Sequence, residues 1–205
     1  MKIDTYVAGP IDANNYLIWD EKSKEAILID CSDYNEGVID KINTEKLVLK
    51  YILLTHGHFD HILGINSMLE VLNAKVGIHS YDVPMLNNTD QMCLMFGISP
   101  TGAQKYDFLI DENSNLYLGD IPVNILYTPG HSEGSVCYLI ENNLFCGDTL
   151  FKGSYGRTDL PGGNFNKIHH SIKDILFNLN DDIIVYPGHG DSSTIGYEKR
   201  YNDIN

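Results

Sequence analysis

The stretch THGHFDH, residues 55–61, sets three histidines and an aspartate within six positions. His56 and His58 are two residues apart, so an extended backbone turns both imidazoles to one side. Asp60 and His61 follow where the chain enters its next element and can face a neighbouring position. Imidazole and carboxylate together suit zinc, iron or manganese better than calcium or magnesium. Three more polar residues stand in a similar context: His131 in TPGHSEGS, Asp148 in CGDTLF and His189 in YPGHG. Each follows a strand-like run, in a turn where glycine allows close approach. Taken singly, each has a plainer role: Asp60 or Asp148 can cap a following turn, and a lone loop histidine is usually solvated. Taken together, five of the eight histidines fall in these loops, and that joint pattern points to a metal site.

The flanking sequence predicts how these residues are held. LVLKYILL, residues 47–54, reads as a buried strand, and 62–74 is apolar at Ile62, Ile65, Met68, Leu69 and Leu72, a helical spacing. Ligand-type side chains crowded between two buried elements are costly unless something satisfies them, as a metal ion would. KIDTYVA, NNYLIW and EAILIDC are strands, with turns at Asp12-Ala13-Asn14 and at 20–24, and 34–45 is a helix. KVGIHS is a further short strand. In the second half NLYLGD, VNILYTPG, SVCYLIE, NLFCGD and DIIVYPGHG are strands. Residues 165–179 carry the helical pattern Phe165, Ile168, Ile172, Ile175, Leu176 and Leu179. Strands followed by helices in each half predict two α/β halves packed sheet to sheet. The 88–107 segment has little regular pattern; its Met92, Leu94, Met95 and Phe96 fit a substrate-facing flap or a satellite of the core equally well.

The chain of 205 residues is long enough for one substantial core, so a single domain over 1–205 is expected. It has no apolar run of membrane-spanning length, and MKIDTYVAG lacks the basic-then-apolar form of a signal peptide, so the cytoplasm is the expected compartment and no membrane partner is expected. Cys31, Cys93, Cys137 and Cys146 form no CxxC pair, which argues for buried, reduced thiols. With 14 basic against 28 acidic residues, a net charge of −14 disfavours nucleic acid as a partner.

THGHFDH followed in order by TPGHSEGS, CGDTLF and YPGHG resembles the metallo-β-lactamase superfamily, over nearly the whole chain from ANNYLI to TIGYEKR. GDTLFKGSYGRTDLPGG and the ending GHGDSSTIGYEKRYN look like its short, single-domain glyoxalase II-like (hydroxyacylglutathione hydrolase-like) branch. The resemblance implies a four-layer αβ/βα sandwich and a site for two divalent metal ions, zinc with iron or manganese as alternatives. Carried over motif by motif, His56, His58 and His131 would hold the first ion and Asp60, His61 and His189 the second, with Asp148 between them. The implied reaction is hydrolysis of a small-molecule thioester, such as an S-hydroxyacylglutathione, by metal-bound hydroxide, with Asp60 as the catalytic proton acceptor. A mononuclear iron persulfide dioxygenase on His56, His131 and Asp148, or a lactone hydrolase, shares the scaffold. Arg157 aligns with a basic substrate-binding position of the family, and Tyr155 and Lys199 are further candidates for holding substrate. Two departures stand out: Cys31 where the family usually has proline or a similar turn residue, and Asp159 where it has tyrosine. His79, His169 and His170 are not expected as ligands.

Overall fold

In the computed structural model, which describes residues 1–204, the period-two alternation of the strands sends apolar side chains to both faces of two sheets. The first sheet comprises β1 (Lys2–Ala8), β2 (Ala13–Trp19), β3 (Glu25–Ile29), β4 (Val48–Leu53), β5 (Lys75–His79) and β6 (Phe108–Ile110), in that spatial order. Its first three strands pair antiparallel and β3 to β6 pair parallel. The second sheet begins with β7 (Leu116–Leu118), β8 (Ile121–Tyr127), β9 (Val136–Ile140) and β10 (Asn143–Gly147), all antiparallel neighbours. A small hairpin, β11 (Leu150–Phe151) with β12 (Ser154–Tyr155), stands apart from it. β13 (Ile184–Pro187) then adds parallel to β10, and β14 (Ser193–Thr194) closes that edge.

Three apolar clusters define the layers. Tyr16, Ile18, Ile27, Ile29 and Leu53 of the first sheet meet Val123, Ile125, Tyr138 and Phe145 of the second in a central core. The opposite face of the first sheet, with Leu17, Leu28 and Ile52, packs on α1 (Glu36–Glu45) and α2 (Ile65–Met68) through Val38, Ile42, Ile65 and Met68. α3 (Val83–Asn87) and α4 (Thr89–Met95) continue at the end of that layer. The outer face of the second sheet packs on α5 (Phe165–His170) and α6 (Ile195–Tyr201) through Ile168 and Ile195. The order helix, sheet, sheet, helix is the expected four-layer sandwich. Each fully buried leucine or isoleucine in these clusters contributes roughly 1.5–3 kcal/mol of transfer free energy.

Some elements differ from the sequence reading. The helix expected over 62–74 is reduced to α2, because the chain must turn back within a few residues to enter β5, though Leu69 and Leu72 still pack on the core. The 88–107 segment is more regular than its pattern implied, since α4 occupies its first part. The helix over 165–179 is present but passes from α5 through a π turn (Ser171–Ile175) and a 3-10 turn (Leu176–Asn178), and Phe165 lies outside the core. The turn placed at Asp12-Ala13-Asn14 comes earlier, as Ala13 and Asn14 already belong to β2. No described helix is long and apolar enough to cross a membrane.

Candidate metal centre

The seven residues marked by their motifs come from four loops, three of them following the ends of β4, β8 and β13 and one the end of β10. After β4 the chain stays extended through His56 and His58, then closes a 3-10 turn (Phe59–His61) that swings Asp60 and His61 to an adjacent position. The result is two groups of ligand-type atoms: His56, His58 and His131 in one, and Asp60, His61, Asp148 and His189 in the other. In the first, His58 Nδ1 lies 2.8 Å from His131 Nε2. In the second, His61 Nε2 and His189 Nε2 lie 3.2 and 3.1 Å from Asp60 Oδ2. Asp148 reaches both groups, with Oδ1 3.4 Å from His61 Nε2 and Oδ2 3.5 Å from His131 Nε2.

Buried polar atoms are normally satisfied. Here His56 Nε2, His61 Nε2 and Asp148 Oδ1 are buried with no hydrogen-bond partner, all three aimed into this cluster. Imidazole nitrogens with free lone pairs beside carboxylates form a donor set for a borderline-soft divalent cation, and the residues fit such ions well.

The rest of each imidazole is tied down, and the ties set which nitrogen is free. His61 Nδ1 donates to Asp30 Oδ2 at 2.8 Å, leaving Nε2 for a ligand. His56 Nδ1 sits 3.0 Å from Thr55 Oγ1, whose own hydroxyl donates to the same Asp30 oxygen at 2.8 Å. One carboxylate thereby orients a histidine of each group. His131 Nδ1 donates to the Arg157 carbonyl at 2.9 Å, and His189 Nδ1 faces the Asp12 carbonyl at 3.3 Å. A second buried carboxylate, Asp82, accepts from Gly57 N, Ser132 Oγ and Gly134 N, locking the loop between His56 and His58 to the loop of His131. Sequence reasoning missed both Asp30 and Asp82. Asp30 carried a signal, since an acid ending the buried run AILI needs partners, and it adopts a left-handed φ of 58°. Cys31 next to it is buried, and its N–H donates to the His61 carbonyl at 2.8 Å, a bond that proline at this position would lack.

The His189 loop is held from the first sheet. Asn14 Nδ2 donates to the Pro187 and Gly190 carbonyls at 3.0 Å each, and Tyr16 Oη to Pro187 at 2.6 Å. Gly188 permits the approach: a Cβ there would stand 2.1 Å from Asp148 Oδ1 and 2.8 Å from His61 Cε1. Gly147, at φ 48°, likewise would carry a Cβ 2.3 Å from Thr55 Oγ1.

The electrostatics of the polypeptide alone give four of the ligands the protonation states that metal binding needs. His61 and His189 are instead raised above the ordinary histidine value, because neighbouring carboxylates outweigh burial, so a bound ion would have to displace their protons. Burial, with neighbouring imidazoles adding to it, pushes His56 well below the ordinary histidine value, and burial brings His58 down to about 3. Burial opposes ionisation of Asp60, but His61 and His189 outweigh it and hold that carboxyl well below its usual range. Asp148 is lowered in the same way, chiefly by His61 working against burial.

Beside the cluster opens a cavity of about 760 Å³, within the usual range for small-molecule sites. His58, Asp60, His131, Asp148 and His189 form one side, and α3, α4 and Phe96 form another. Met92, Met95 and Phe96 face this space while Cys93 and Thr89 of the same helix are buried, so the segment serves both as cavity wall and as core. Tyr155 and Arg157 also line the cavity. The Arg157 guanidinium is forked onto Asp159, with Nε to Oδ1 at 2.7 Å and Nη2 to Oδ2 at 2.8 Å, which holds the Asp159 carboxyl at about 2. Lys199 is a correction: it does not line the cavity, and its ammonium is bound to Asp181 and the Leu179 carbonyl on the outer face of the second sheet. The pairs His56–His58 and Asp60–His61 were legible from spacing; their meeting with His131, Asp148 and His189 required the packing of the two sheets.

Comparison with known proteins agrees with this geometry. A family model described as the Metallo-beta-lactamase superfamily matches residues 8–189. The hydroxyacylglutathione hydrolase GloC of Haemophilus influenzae is 34% identical over 206 residues, covering 98% of this chain and 96% of that protein. Among solved structures, the BLEG-1 B3 metallo-beta-lactamase superposes with a TM-score of 0.90 at 34% identity, covering 98% of each chain. TTHA1623 in a di-iron-bound form gives 0.87 at 33% identity, covering 98% of this chain and 100% of that one.

Proposed function

The chain belongs to the metallo-beta-lactamase superfamily, and we propose that it is a binuclear metal-dependent hydrolase that cleaves a small-molecule thioester. The observation that carries this reading is the pair of ligand groups with Asp148 between them and three buried ligand atoms lacking partners. His56 Nε2, His58 Nδ1 and His131 Nε2 would hold one divalent ion, zinc, iron or manganese; Asp60, His61 Nε2 and His189 Nε2 would hold the other, with Asp148 shared. Two such ions, when bound, lower the pKa of water from 15.7 toward about 7 and polarise a carbonyl.

The polypeptide does the rest. The contacts of Asp60 with His61 and His189 both fall on Oδ2, so Oδ1 is the atom that accepts the proton of the attacking water. Asp30 and Asp82 keep the ligand loops in one geometry, so the protein need not reorganise during the reaction. A thiolate leaves without needing an acid to protonate it, which is why no general acid has to stand on the far side of the cavity. Tyr155 orients the substrate from the wall, and α3 and α4 screen the reacting carbonyl from bulk water. The name of the Haemophilus influenzae relative makes S-hydroxyacylglutathione the first thioester to try.

The test is metal content by mass spectrometry on protein purified without chelators, followed by a thioester panel with free-thiol detection. About two equivalents per chain with thiol release supports the proposal. About one equivalent, nearly all iron, with oxygen consumed in the presence of a persulfide, would replace it with the mononuclear dioxygenase reading.

A further inference from the structure

An apolar part of the cavity lining is built from Met85, Met92, Met95, Phe96, Phe59 and Leu160. Phe59 and Phe96 pack with ring centroids 4.9 Å apart, joining the ligand loop to the end of α4. Methionine is an adaptable, polarizable side chain suited to apolar surfaces of variable shape. Met95 and Phe96 are 62% and 44% exposed, a sizeable apolar surface to leave in water at the mouth of a cavity.

Charge on the same wall is sparse. Apart from the ligand residues, Arg157 and Glu133 are the charged groups lining the cavity, and the guanidinium is already engaged by Asp159 in two parallel hydrogen bonds. No lysine lines it. A peptide thiol carrying two carboxylates against one ammonium would find no free cation on this wall, only a guanidinium already paired to a carboxylate, on a chain of net charge −14. An alkyl or aryl group would meet methionine, phenylalanine and leucine.

We infer that the group filling this cavity is apolar and uncharged, so the enzyme selects thioesters with a hydrophobic acyl or thiol half over those of glutathione. This rests on the reading of the site as a thioester hydrolase. Asp159 is the specificity-determining residue in this scheme: it withdraws the one cation that would otherwise recognise a carboxylate.

Two matched series test the inference on the metal-loaded protein. Acyl thioesters of N-acetylcysteamine from acetyl to octanoyl, and alkyl thioacetates of the same lengths, are compared with S-lactoylglutathione in kcat/KM. At least one series is expected to rise roughly two- to fourfold per methylene, the factor that burial of a methylene supplies. Met92→Asn and Phe96→Ser should each flatten that rise. Asp159→Asn should raise kcat/KM for S-lactoylglutathione relative to a neutral thioester, an effect that added salt diminishes. In parallel, calorimetry with non-hydrolysable S-alkyl thioethers of N-acetylcysteamine measures affinity without turnover. Affinity that grows with chain length while no thioester is cleaved would sink the hydrolase reading and leave the apolar site standing. Flat affinity and flat kcat/KM in both series, or a tenfold preference for S-lactoylglutathione over the octanoyl thioester, would overturn the inference itself.

Discussion

Replacing Asp30 by asparagine should weaken both ligand groups without removing a ligand from either. The carboxylate accepts three hydrogen bonds, from Thr55 N, Thr55 Oγ1 and His61 Nδ1, each 2.8 Å long. Asparagine keeps one acceptor oxygen. If that oxygen stays with the Thr55 N–H, the new NH2 faces a hydroxyl and an imidazole N–H that were both donors. His61 must then move its proton to Nε2, the atom a metal needs, and the Thr55 hydroxyl must turn to donate toward His56 Nδ1, driving the His56 proton to its Nε2 as well. Loss of such a supporting partner lowers metal affinity about ten- to hundredfold, or roughly 1.4–2.7 kcal/mol per site. The mismatched buried donors cost the metal-free protein about 1–3 kcal/mol more, which lowers Tm by roughly 2–4 °C for each kcal/mol. Competition with a chromophoric chelator reads the first effect and thermal melting of the metal-free protein reads the second. Thr55→Val, which frees only the His56 arm, should weaken one site and leave the other. Asp30→Asn protein that holds two metals with wild-type affinity would show that the tautomers are not set through Asp30, and the argument would fail.

Gly188→Ala should place a methyl group within 2.1 Å of Asp148 Oδ1, so metal content should fall and circular dichroism should remain native; full metal loading would contradict the close approach. His131→Ala removes one imidazole of the three-histidine group, and metal analysis should drop from about two equivalents toward one. Asn14→Ala deletes two hydrogen bonds to the His189 loop and should cost about 1–3 kcal/mol in chemical denaturation, with weakened metal retention. His79, stacked on Tyr127 at 4.8 Å, is held below its ordinary value of 6.5 by burial. The unfolded chain therefore takes up its proton first, so this group's contribution is complete above pH 6.5 and is lost as pH falls toward the folded value. His79→Gln should remove that component from the pH dependence of stability, and an NMR midpoint of the His79 ring at or above 6.5 would rule it out.

Local chemistry made much of the fold and the centre legible from the chain. Strand alternation such as that of NNYLIW sorted side chains to two faces, and HxHxDH followed by Gly-bounded His131, Asp148 and His189 marked every residue that the two groups contain. These signals act over a few residues, where side-chain direction follows directly from backbone period. Other features depend on residues distant in sequence. Asp30 and Asp82 look like ordinary acids until β3, β4 and β5 lie parallel and the loop of His131 folds over them. Arg157 reads as a substrate-binding cation, yet its fork onto Asp159 depends on how the loop after β12 bends. Lys199 reads as an anion anchor, yet α6 carries it to the outer face of the second sheet, away from the cavity. The chain by itself determined which chemistry was available, because donor atoms are a property of residue type. Which nitrogen is free, which charge is already paired and which apolar surface faces the reacting carbonyl were decided only by tertiary structure, because each depends on contacts between residues up to 177 positions apart.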